Sequence, residues 1–166
     1  MKKRIKMKKL LYVIVAALCL VACGKSNENI KPEYVDLGLP SGTKWMSVNE
    51  SNPNDEYDYF TYDEAVNMFG DQLPTDDQLR ELHHSCDWKW TKNGAKVTGP
   101  NGNSIFIPAE GSVACDGRIT LVGEICAIWS STPFASGNAW ELVSGDNGVY
   151  VYHTSRCSGN SVRLVK

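Results

Sequence analysis

Four groups of residues in this chain have types and spacings that could do chemistry. The first is the cysteines: Cys19, Cys23, Cys86, Cys115, Cys126 and Cys157. Cys23 directly follows small Ala22 at the end of an apolar run, the place for cleavage and acylation of a thiol. The four later cysteines contain no CxxC and do not have zinc spacing, so no metal is expected there. In an oxidising compartment their even count permits two disulfides in three connectivities. The second group is the acidic run Asn54-Asp55-Glu56-Tyr57-Asp58, which lacks the glycine that an EF-hand loop needs at its sixth position and reads as a solvated face. The third is His83-His84, whose side chains leave a helix about 100° apart and do not chelate one metal together. The fourth is the stretch Val149 to Arg163, in which tyrosines, His153, serines, Thr154 and Cys157 interleave with regular apolar positions. No GxSxG, P-loop or HExxH occurs, and no cofactor or enzymatic activity is expected.

The elements that position these groups follow from capping and periodicity. Thr61-Tyr62-Asp63-Glu64 and Thr75-Asp76-Asp77-Gln78 are capping boxes. The first starts a helix that buries Ala65 and Phe69 and stops at Gly70. The second starts a helix with Leu79, Leu82 and Cys86 on one face, so Cys86 is expected in the core. Earlier, Glu33–Leu39 and Thr43–Val48 read as strands around the turn Pro40-Ser41-Gly42. After Trp88 come short strands at Ser104–Ile107, Ile128–Ser130, Ala139–Leu142, Val149–Tyr152 and Ser161–Val165. Gly145-Asp146-Asn147-Gly148 is a hairpin turn. Trp45, Trp129, Phe106, Leu142 and Val162 are expected in the core, and Pro74 and Pro108 at turns. Two helices followed by a β-rich half make an α+β protein.

Charge and length set the remaining bounds. The 166 residues suit one domain, and the net charge of −2 hides a split. Residues 1–9 hold six of the 17 basic groups and no acid, leaving 11 against 19 acidic ones. A sequence pI near 5.9 argues against a nucleic-acid partner. The basic head leads into the apolar run Leu10–Ala22, which has the length of a secretory signal and is short for a membrane-spanning helix. Leu20-Val21-Ala22-Cys23 resembles a bacterial lipobox. The expectation is therefore a signal peptide over 1–22, lipidation of Cys23, a flexible tether over 23–32 and a folded domain over 33–166. That arrangement implies an outer-membrane lipoprotein of the cell envelope, exposed at the surface and held to the membrane through its lipid.

Several ordered runs carry a family resemblance. They are Tyr34-Val35-Asp36-Leu37-Gly38-Leu39-Pro40-Ser41-Gly42-Thr43-Lys44-Trp45, Asp58-Tyr59-Phe60, Leu73-Pro74-Thr75, Val97 to Asn103, Ile107-Pro108-Ala109, Trp129 to Thr132 and Ser161 to Val165. Together, over residues 33–166, they resemble the Fibrobacter succinogenes major paralogous domain of secreted and lipid-anchored proteins. The resemblance implies a C-type lectin-like fold, with a twisted antiparallel sheet and long loops. The Glu-Pro-Asn and Gln-Pro-Asp tripeptides of calcium-dependent sugar binders are absent from the sequence, so calcium-dependent sugar binding is not implied.

The carboxy-terminal stretch also resembles the variable region of proteins diversified by retroelements, whose changeable positions derive from Asn codons altered at adenines. The residues compatible with such codons are Ile125, Cys126, Ala127, Phe134, Ala135, Ser136, Gly137, Tyr150, Tyr152, His153, Thr154, Ser155, Cys157 and Ser158. Trp140 and Glu141 are unreachable by those changes and are excluded. The expectation is that these positions form one exposed ligand-binding face, with Tyr150, Tyr152, Phe134 and His153 as anchors for a protein or glycan. The alternatives are an undiversified adhesin, a fimbrial structural or tip subunit, and, more distantly, a formylglycine-generating-like enzyme using Cys126 and Cys157 as its cysteine pair.

Overall fold

The structure is a computed structural model that describes residues 32–166. The expected signal peptide, the lipidated Cys23 and the tether up to residue 31 lie outside the described residues. In chain order the elements are β1 (Tyr34–Asp36), β2 (Lys44–Met46), β3 (Phe60–Thr61), α1 (Tyr62–Phe69), α2 (Asp76–Ser85), β4 (Asp87–Thr91), β5 (Gly94–Thr98), β6 (Ser104–Pro108), β7 (Ser112–Val113), β8 (Ile119–Thr120), β9 (Ile125–Phe134), β10 (Asn138–Gly145), β11 (Gly148–Ser155) and β12 (Gly159–Asn160). The architecture is α+β, with two helices and several antiparallel sheets. Instead of one twisted sheet, the described strands form four small ones: β1-β2, β4-β5-β6, β11-β10-β9 and β3-β12-β7-β8.

Local sequence accounts for the helices. Thr61 N donates to Glu64 Oε2 at 2.8 Å and Thr75 N donates to Gln78 Oε1 at 2.9 Å, while each threonine hydroxyl receives an amide from the same partner. Both capping boxes are thus formed. Gly70, at φ +53°, ends α1 in a conformation that side-chain-bearing residues rarely adopt.

The motif around Gly99 is explained by close packing. A Cβ at Gly99 would lie 2.0 Å from the Leu37 carbonyl oxygen, so only glycine fits. Asn101 and Asn103 both donate their side-chain amides to Asp36 O, at 2.9 and 2.8 Å. The β5-β6 turn is thereby locked onto the end of β1.

Two apolar clusters hold the sheets together. The larger contains Leu79 and Leu82 of α2, Val97, Ile105 and Ile107 of the β4-β5-β6 sheet, and Ile128 and Leu142 of the β9-β10-β11 sheet. The smaller centres on Trp129 with Phe60, Tyr62, Ala65, Leu73 and Val162. There Trp129 Nε1 donates to Phe60 O at 2.7 Å and the Tyr62 ring meets the indole edge-on.

Three expectations are corrected. Phe106 is 42% exposed, because the two-residue period of β6 turns Ile105 and Ile107 inward and Phe106 outward. Cys86 is half-buried: α2 ends at Ser85, so Cys86 leaves the helical face in an extended conformation and only packs against the edge of the larger cluster. Ser161 to Val165 is not a regular strand. It is buried and threads between other segments, with Met46 N bonding to Leu164 O, Trp129 N to Ser161 O and Val165 N to Gln72 O.

Candidate functional site

The β9-β10-β11 sheet carries nine of the fourteen residues singled out as a binding face, and its register decides where they point. Leu142 pairs with Ile128 and Val151, and these three pack into the larger cluster. The neighbouring rows therefore face the other way: Val143 with Ala127 and Tyr150, then Glu141 with Trp129 and Tyr152, then Ala139 with Thr154. Trp140 pairs with His153 on the first face. The expected single face is thus divided between two sides of one sheet. Strict alternation cannot bring Tyr152 and His153 to the same side.

On the first side, beyond the core, four groups assemble. The Phe134 ring stacks on His153 at 3.8 Å between centroids, and Trp140 meets both rings edge-on at 5.0 and 5.8 Å. The Arg80 guanidinium lies 4.7 Å over the Trp140 ring. Trp140 sits at the irregularity between Ala139 and Glu141, where the β9 register shifts. At the β11 edge, where the two sides meet, Arg80, His83 and His84 form with Val149, Tyr150, Val151 and Tyr152 an open groove of about 530 Å³. The two histidine rings stack on each other, and burial, then His84 and Arg80, lower the His83 pKa.

On the second side, the β7-β8 hairpin crosses over the sheet and encloses a cavity of about 230 Å³. Its lining includes Ile125, Ala127, Tyr152, Thr154 and Ser158 from the expected face, together with Glu141. Glu141 is 4% exposed, and its Oε2 accepts a hydrogen bond from Asn160 Nδ2 at 2.5 Å. Burial raises the Glu141 pKa to about 7, against a smaller downward pull from Asn160. A disulfide between Cys115 and Cys157 fastens the hairpin to the β11-β12 turn.

Other positions differ from expectation for clear reasons. Cys126 and Ala127 are almost fully enclosed, at 1% and 2% exposure. Cys126 faces the core and donates its thiol to Ile107 O, so it presents no surface to a ligand. Burial pushes its pKa to about 12. Cys157 is committed to the disulfide, so Cys126 and Cys157 do not form the cysteine pair of the formylglycine reading. Ala135, Ser136 and Gly137 form the exposed β9-β10 turn, with Gly137 at φ +81°, which few other residues adopt without strain. Ser155 and Ser158 are half-buried, and Ser155 pairs with Asn138 beside that turn. The acidic run is a local turn in which Asp55 Oδ1 accepts the amides of Tyr57 and Tyr59 and Asp58 Oδ1 accepts that of Asn52.

Glu141 and Trp140 fall outside the codon-reachable set, yet each stands at the centre of one side of the sheet. The available signal was Glu141 itself, a carboxylate in the apolar strand pattern Ala139-Trp140-Glu141-Leu142-Val143. Among the described residues no group of three His, Cys, Asp or Glu side chains could hold a metal ion. No helix among them is long and apolar enough to cross a membrane. No family model, curated protein or solved structure matches the chain.

The raised Glu141 pKa has a consequence for stability. The unfolded carboxyl ionises near 4.5 and the folded one near 7, so the folded state resists ionisation. Stability contributed by the neutral acid is fully present below pH 4.5 and is lost as pH rises through 7. Glu141→Gln keeps an acceptor for Asn160 and removes the ionisation. It should therefore raise the unfolding free energy at pH 8 by about 3 kcal/mol, with no gain below pH 4.5. Urea denaturation of both proteins across that range checks it, and a pH-independent difference would contradict the assignment.

Proposed function

We propose that this chain is a lipid-anchored binding protein of the cell envelope, with a C-type lectin-like domain that takes a protein or glycan ligand on the β9-β10-β11 sheet. The observation that carries the reading is β11, an edge strand on which Tyr150 and Tyr152 remain 54% and 46% exposed. Large amphipathic rings on a rigid strand supply contact area at low entropic cost, which suits a binding surface. The adjoining groove and cavity give that surface relief. Retroelement diversification belongs to the same reading: exposed β11 side chains can change while the buried rows of the sheet keep the fold. A reverse transcriptase gene beside this one, with a near-copy of codons 125–163 differing only at adenines, is the expected genetic context.

The functional test is a glycan, protein and cell-binding array probed with the full chain and with a Tyr150→Ala/Tyr152→Ala variant. Any partner found should bind the variant at least about tenfold more weakly, as expected for aromatic hot spots. A partner whose affinity survives both substitutions would place binding elsewhere on the molecule.

A further inference from the structure

The cavity beneath the β7-β8 hairpin has a chemistry of its own. It is bounded by the second face of the sheet, the hairpin and Asn160 of β12. Its 230 Å³ falls short of the roughly 300 Å³ at which sites for whole small molecules begin, so it suits one protruding group of a larger ligand. Val113, Ile125 and Val143 give it apolar walls, and Tyr152, Thr154 and Ser158 bring hydroxyls. Glu141 is the only carboxylate in the lining, and no Lys, Arg or His joins it there. The hydrogen bond from Asn160 reaches Oε2 and leaves Oε1 for another donor.

We propose that this cavity is a subsite for an alkylammonium group, with Glu141 as its counter-charge. The inference rests on the ligand-binding reading of the sheet and names the chemistry that one part of it selects. A buried carboxylate without a cation is costly, and a ligand cation entering the cavity removes that cost. Three N–H donors of an ammonium group match the carboxylate and two hydroxyl acceptors, while the methylene chain lies against the apolar walls. One carboxylate among neutral oxygens falls short of the ligand set of a divalent metal.

The pH dependence has a defined sign. At pH 8 the carboxylate is ionised and holds the cation; by pH 5 it is protonated and the attraction is lost. Tyr152 is the other titratable side chain in the lining, and burial, then Glu141, raise its pKa and keep its hydroxyl protonated. Arg80, His83 and His84 stand beyond Tyr152 along the groove, and protonation of the histidines would also repel a cation. The Glu141→Gln variant separates the two effects, because only the contribution of Glu141 disappears in it.

The test is a titration of the isotopically labelled full chain with n-butylammonium chloride at pH 8, followed by NMR and compared with n-butanol and with matched sodium chloride. The expected result is a saturable shift of the Glu141 carboxyl carbon and of the Tyr152, Thr154 and Ser158 amides with butylammonium alone. Saturation should lower the Glu141 ionisation midpoint by at least one pH unit, and affinity should fall at least tenfold at pH 5. Glu141→Gln should lose at least tenfold in affinity at pH 8. The wild-type midpoint shift keeps the proposal testable if that variant folds poorly. An Nα-acetyl-lysine amide and a glucosamine probe distinguish a protein from an amino-sugar source, and tighter binding of either supports the subsite. No saturable shift at Glu141, equal binding by butanol, or unchanged affinity in Glu141→Gln overturns it. Array partners that still depend on Tyr150 and Tyr152 would, in that case, leave the broader binding function standing.

Discussion

Arg163→Leu should lower the unfolding free energy by about 3–5 kcal/mol, the range for removing one member of a buried charged network. Arg163 is fully buried, and its guanidinium donates to Asn49 Oδ1, Met46 O and Phe106 O at 2.7, 2.7 and 2.9 Å. Those acceptors belong to the segment after β2, to β2 itself and to β6, which share no strand pairing. Glu110 completes the network by accepting from Asn49 Nδ2 at 2.7 Å and Ser161 Oγ at 2.6 Å. Leucine would leave three acceptors buried without donors and Glu110 without the nearby positive charge. Burial lowers the Arg163 pKa to about 10, against the upward pull of Glu110, so it remains charged at neutral pH. Arg163→Lys should recover little, because an ammonium cannot reproduce the planar fork that reaches three directions. Chemical denaturation measures both variants, and a loss below about 1 kcal/mol for Arg163→Leu would show that the network is dispensable.

Removing the Cys115–Cys157 disulfide should cost a similar amount. The bridge joins positions 42 residues apart in sequence, for which the chain-entropy relation gives about 4 kcal/mol. The expected result is a reduced protein, or a Cys115→Ser/Cys157→Ser variant, that unfolds at clearly lower denaturant than the oxidised form. The local effect follows from position. Ala114 and Ser158 flank the bridge and line the cavity, so its loss frees the β7-β8 hairpin from the β11-β12 turn. Hydrogen exchange of Val113, Ala114 and Ile119 should therefore accelerate before that of the buried β9 strand. Uniform acceleration across both would mean that the bridge acts only through the unfolded state. Cys86 and Cys126 should contribute nothing to either measurement, since burial first of all holds their pKa near 11 and 12 and keeps the thiolate scarce.

Much of the local structure was legible in the order of residues. The capping threonines, the glycine that ends α1, the Asp146-Asn147 turn and the buried Leu79 and Leu82 all depend on neighbours within a few positions, and all are found where the pattern puts them. Phe106 lies on the outward phase of β6, so its size and apolar character do not by themselves make it core. Cys86 lies one residue past the end of α2, where the helical spacing no longer sets its direction.

The sequence by itself determined the α+β class, the two helix starts, the candidate leader and the tyrosine-bearing strand β11. Each is written in local chemistry: charge and hydropathy runs, side chains that bond their own backbone, and alternation along one strand. Only the tertiary structure decided which cysteines pair, how the variable-looking residues divide between two sides of a sheet, and that Glu141 lies at the floor of a cavity. Those outcomes depend on strand register and on contacts between residues as distant as Cys115 and Cys157 or Glu141 and Asn160. Shifting one strand by a single residue reverses every side chain on it. No local pattern in β11 reveals where β10 stops and pairs, so the placement of the site had to wait for the folded sheet.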